Sequence, residues 1–171
     1  MPSDVLRARL RQNHARLERR RFAEIFSEKL GIPVESVKFL GLEEHDRLAT
    51  RFWDRWSKVK SDHSCGSLNE LFDTREKVER EIERFCALPD CPAYLLFDHS
   101  DDVGAIQVIL HYALGKVFSI VEFDGEDFAI TNATTSFGLS IEYFWDDSVN
   151  PARKVFRVKS WIDDLCSPVP A

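Results

Sequence analysis

Between Pro89 and Pro92 the apolar pattern of this chain changes its period, and few architectures accommodate such a change within 171 residues. Before the break, apolar side chains recur at steps of three and four, as on one face of an α-helix. After it they come in short runs and alternations punctuated by Asp, Gly and Asn, as in strands. Helices gathered in one half and a meander in the other predict an α+β protein. The expected architecture is a helical layer of about three helices on one face of a mostly antiparallel, twisted sheet of about five strands, with one further helix. A chain of this length buries its own core as a single domain, 1–171, with a helical half over 1–88 and the meander over 92–162.

The first helix is expected over 4–30. Ser3 or Asp4 caps it, Leu6, Leu10, Leu17, Ile25, Phe26 and Leu30 form an irregular stripe, and Gly31 with Pro33 stops it. A second helix is expected over 42–60, with Leu42, His45, Ala49, Phe52, Trp53, Trp56 and Val59 as its inner side. Ser67 and Glu70 have capping-box spacing, which predicts a third helix from there to Phe85. In the second half the pattern predicts a strand over 93–97, a helix over 103–114, and a hairpin of 117–123 with 128–133 around an Asp-Gly turn. Further strands are expected over 137–145 and 154–161.

Charge divides along the same line. Residues 1–85 carry 18 basic and 16 acidic side chains, whereas 86–171 carry 5 and 13. An acidic half repels nucleic acid and anionic membranes, so neither is an expected partner; its complement is a protein with a basic surface. Seven arginines crowd the first helix: Arg7, Arg9, Arg11, Arg16, Arg19, Arg20 and Arg21. They are spaced all round it with few aromatics between them, which fits a solvated face, or pairing with acids of the same or a neighbouring copy, better than phosphate contacts. A weak homodimer built on such pairing is one expectation.

No apolar run approaches the roughly 20 residues that span a bilayer, and Met1 to Asp4 followed by arginines lacks the core of a secretory signal. Cys65, Cys86, Cys91 and Cys166 show no Cys-x-x-Cys pair, so reduced thiols in a cytoplasmic protein are expected, with neither metal nor cofactor. Glycine-rich phosphate loops, nucleophile elbows and His-Glu-x-x-His are absent from the sequence. The nearest approach to an active site is the stretch Asp98, His99, Ser100, Asp101, Asp102, where carboxylates and an imidazole follow a strand. A metal-dependent enzyme centred there is one alternative, and a self-associating regulatory or structural protein another. Helix capping by Ser100 or Asp101 explains the same residues more simply.

Acids at turns stay hydrated and suit recognition better than catalysis. The expected partner-binding set is Asp101, Asp102, Glu122, Asp124, Glu126, Asp127, Glu142, Asp146 and Asp147, with Tyr143, Phe144 and Trp145 as aromatic anchors. Over about 93–161 the order of elements carries Phe97-Asp98-His99-Ser100-Asp101-Asp102, then Asp127-Phe128-Ala129-Ile130, then Ser136-Phe137-Gly138-Leu139. In that order and in its acidity the chain resembles the immunity proteins of bacterial toxin–immunity systems. The resemblance implies a non-catalytic protein that binds and neutralises one toxin domain, its acidic rim occupying a basic, nuclease-type cleft.

Overall fold

The computed structural model describes residues 4–60, 66–124, 127–148 and 151–163, with 122–124 described in backbone only. In chain order the elements are α1 (Asp4–Leu30), a 3-10 turn (Val34–Ser36), β1 (Lys38–Phe39), α2 (Leu42–Lys58), β2 (Leu68–Phe72), α3 (Arg75–Cys86) and β3 (Pro92–Leu96). They continue with α4 (Ser100–Val103), β4 (Ile106–Ile109), α5 (Leu110–Leu114), α6 (Val117–Asp124), β5 (Phe128–Thr131), β6 (Phe137–Asp146) and β7 (Arg153–Ile162). The strands form one sheet in the order β1-β4-β3-β5-β6-β7-β2, antiparallel at every junction. The α+β class and the antiparallel sheet agree with the sequence. The sheet has seven strands where about five were expected.

Three expectations fail for identifiable reasons. Residues 68–72, taken for the first turn of a helix, pair with β7 from Leu68↔Ser160 to Phe72↔Phe156. Leu68 and Phe72 pack into the main core from there, and α3 begins only at Arg75. The helix expected over 103–114 is broken at Gly104, whose φ of 93° leaves the helical region. A Cβ at Gly104 would stand 2.2 Å from the Leu40 carbonyl oxygen, so the chain turns tightly there and enters β4. Residues 117–123, expected as a strand, form α6. Both neighbours of β5 are already taken, by β3 and β6, and Val117, Ile120 and Val121 are buried at helical spacing.

Side-chain alternation gives the sheet two distinct faces. Ala93, Leu95, Ile106, Phe128, Ile130, Leu139, Ile141, Phe156 and Val158 point to the first face, where α1, α3, α5 and α6 complete the main core. Leu96, Ala129 and Trp161 point to the second, where they meet Leu48, Ala49, Phe52 and Val59 of α2. The helices therefore do not share one face, as the sequence led us to expect; α2 stands alone on the other side. Trp53, counted with its inner side, is 43% exposed.

The seat of α2 is the Trp161 indole. It lies flat across Gly138, its cross-strand neighbour, where a Cβ would approach the ring to 2.2 Å. Phe52 packs against the same ring at 5.2 Å between centroids, Arg55 lies 5.1 Å from the ring centroid, and the indole Nε1–H donates to the Thr135 carbonyl at 3.1 Å. Trp56 adds a bond from Nε1 to Ser140 Oγ at 2.7 Å. Gly138→Ala is expected to displace the indole and cost about 1–3 kcal/mol, as overpacking of a filled site does. Urea unfolding measures it, and an unchanged midpoint would show that the indole is not held by this contact.

Candidate functional site

The loop after β3 is fastened to both N-terminal helices. Arg11 makes a two-pronged pair with Asp46, both bonds 2.6 Å, and its Nη2 also donates to the Asp101 carbonyl at 2.7 Å. That guanidinium holds the Asp46 carboxyl below its ordinary range. Arg19 donates to the Val103 carbonyl at 2.7 Å and the Leu40 carbonyl at 2.8 Å. His45 is fully buried. Its Nδ1 accepts the Ala105 amide at 3.2 Å, so Nε2 carries the proton and donates to Asp101 Oδ1 at 3.0 Å.

Asp98, His99, Asp101 and Asp102 therefore do not converge on a metal. Asp101 is engaged by His45, the His99 ring lies 5.1 Å from that of Phe22, and Ser100 is buried. Among the described residues no group of three His, Cys, Asp or Glu side chains is placed to hold a metal ion. Two of the seven α1 arginines are structural, and what they hold is backbone carbonyls as well as a carboxylate.

A second acidic grouping comes from strand register. Glu142 pairs with Arg157 across β6 and β7, and Arg157 donates to it at 2.9 Å. The register of the Leu96↔Ala129 and Phe128↔Ile141 pairs, continued one or two residues along the strands, sets Asp98 opposite Asp127 and Asp127 opposite Glu142. Asp98, Asp127, Glu142 and Arg157 thus form a transverse row on the second face, beyond the end of the area that α2 covers. Lys159, in the adjacent row, places its Nζ 3.5 Å from the centroid of Trp56; burial lowers its pKa against the attraction of Glu142. Arg157 also lies over the Phe144 ring at 4.8 Å.

Three carboxylates share this row with a single guanidinium. Asp127 shows the imbalance: burial first, then the charges of Glu142 and Asp98, raise its pKa from 3.8 to about 6 against the pull of Arg157.

The remaining residues expected to bind a partner are spread along this end of the molecule. Asp146 faces Arg153 across the β6–β7 pairing and accepts from the Ser148 hydroxyl at 2.5 Å and the Ser148 amide at 3.1 Å, which lower its pKa; Asp147 is exposed in the turn. Asp101 and Asp102 stand at α4, beside α1 and α2. Tyr143, Phe144 and Trp145 do not share one face, because successive strand residues point to opposite faces. Tyr143 stacks on Phe156 at 4.5 Å on the first face, Phe144 turns to the acid row, and Trp145 is 58% exposed. The side chains of Glu122 and Asp124, and the whole of Glu126, lie outside the described residues, as do Cys65 and Cys166.

Sequence reasoning missed Asp98 and Arg157 as members of one row with Asp127 and Glu142. Each of the four has an apolar residue on at least one side: Phe97 before Asp98, Phe128 after Asp127, Ile141 before Glu142 and Val158 after Arg157. No described helix is long and apolar enough to cross a membrane. Comparison with protein families, curated proteins and solved structures finds no match to this chain.

The raised pKa of Asp127 has a consequence for stability. The folded protein keeps a proton there up to about pH 6, whereas the unfolded chain loses it near 3.8. The contribution of that proton is therefore complete below about pH 4 and lost as pH rises through 6. Asp127→Asn is expected to remove this decline and stabilise the protein at pH 7 by on the order of 1 kcal/mol, since the group is only half-buried and solvent screens part of the effect. Denaturation midpoints of both proteins between pH 4 and 7 check this: parallel curves would contradict it.

Proposed function

We propose that the protein is a non-catalytic binding protein that neutralises a partner with a basic surface, as an immunity protein does a toxin. The contact end is that at which β3 and β6 finish and β5 and β7 begin. The observation that supports this reading most directly is the row of Asp98, Asp127 and Glu142 against Arg157, where carboxylates outnumber cations and Asp127 is held protonated to about pH 6. Among the described residues, three carboxylates meet Arg157 and the more distant Lys159, so negative charge is in excess there. A lysine or arginine from a partner would balance it, and the cation would favour the charged form of Asp127. The acids of the β6–β7 turn extend the same negative field, which speeds encounter with a basic protein. Phe144 and Trp145, on opposite faces of β6, offer apolar contact at its border.

The experiment is co-expression with a candidate toxin, taken from a reading frame adjacent to the gene, followed by binding measurements on the purified pair. Association is expected to slow at least about tenfold between roughly 50 and 500 mM salt, since exposed charges steer it. Affinity should rise from pH 5 to pH 7, with release of a fraction of a proton from Asp127, measured by calorimetry in buffers of different ionisation enthalpy. Asp127→Asn should abolish the proton release and weaken binding. Salt-independent association, or full protection of cells by a variant carrying both Asp98→Asn and Asp127→Asn, would count against the acid row as the contact surface.

A further inference from the structure

The outer side of α1 carries an apolar pattern that lies apart from both the main core and the acid row. With 3.6 residues per turn, Leu6, Leu10, Asn13 and Leu17 fall within about 60° of one another around the helix. The steps between them are four, three and four, the spacing of the apolar seam of a coiled coil. The packed side of α1 lies opposite: Ala15, Phe22 and Phe26 are buried against the body, and Arg11 and Arg19 reach inward to the α4 loop. Leu6, Leu10 and Leu17 are 46%, 57% and 74% exposed. Helix α1 thus has two apolar stripes, not the single irregular one that the sequence suggests.

The positions bordering such a seam choose its partner. Here they are Arg7, Arg9, His14, Arg16 and Arg21, four arginines and a histidine, all exposed. Arg21 lies 3.6 Å from Glu18 on the same helix. A second copy of α1 laid along the seam would bring arginines against arginines along its N-terminal half. We propose that this face of α1 is a coiled-coil docking seam for an acidic helix of another protein, with leucine-like residues at the facing seam positions and carboxylates at the bordering ones. Asn13 within the seam favours a facing polar residue, which would set the register of the pair. This surface lies on the outer side of α1 and shares no residue with the acid row, so each can fail without the other.

The probe is a helical peptide of about three heptads with Leu at the seam, one Asn facing Asn13, and Glu at every bordering position. A peptide with Lys at the bordering positions serves as control. Fluorescence anisotropy on the full chain should show binding of the Glu peptide alone, weakening with salt. Leu10→Asp and Leu17→Asp should each reduce affinity at least about tenfold, with thermal stability unchanged because these side chains are exposed. Equal binding of both peptides, no binding of the Glu peptide, or binding untouched by the leucine changes would overturn the proposal. So would sedimentation showing a dimer that Leu17→Asp dissolves, since the seam would then serve a second copy. Saturable binding to anionic vesicles that displaces the Glu peptide would likewise assign the face to a lipid surface.

Discussion

The seating of α2 on the Trp161 indole decides what the rest of the molecule can present. Removing the side chain at 138 lets a large aromatic lie against the sheet, and Phe52 and Arg55 then close over it. Among the described residues the first face of the sheet is buried by α1, α3, α4, α5 and α6, and the helix that packs on the second is α2. Beyond α2, strand register sets Asp98, Asp127, Glu142 and Arg157 level on that face, with the apolar Phe144 and Val155 one row further on. The acid row is therefore a by-product of how far one helix extends across one face.

The arginines of α1 separate in the same way, by direction. Arg11 and Arg19 point to the body, satisfying carbonyls of the loop after β3 and of the segment before α2 that would otherwise face a part-buried crevice. With His45 they join α1, α2 and α4 into one unit. The arginines on the far side border a leucine seam instead. A composition that looked uniformly basic is two populations with two uses, and the helix axis is what divides them.

Much of the architecture could be read before the structure. Long helical stripes identified α1 and α2, and clean alternation identified β6 and β7, because both signals repeat over many residues. The short runs were less readable. Residues 68–72, 106–109 and 117–123 satisfy helix and strand templates about equally over so few positions, and their state is settled by which sheet edge is open and which neighbour is taken. At the candidate site the acidic residue types were visible, but their grouping was not. Asp98, Asp127 and Glu142 come from three separate strands or strand ends, and only the pairing of β3 with β5 and of β5 with β6 brings them level.

The sequence alone determined the class of fold, the sign of the charge in each half, and the residues available for recognition, since these follow from local period and composition. The tertiary structure decided the rest. It put α2 on its own face, gave the sheet its edge strands, tied Asp101 to a buried histidine, and set three carboxylates beside one arginine. These outcomes depend on contacts between residues far apart in the chain, whose energies no local pattern contains.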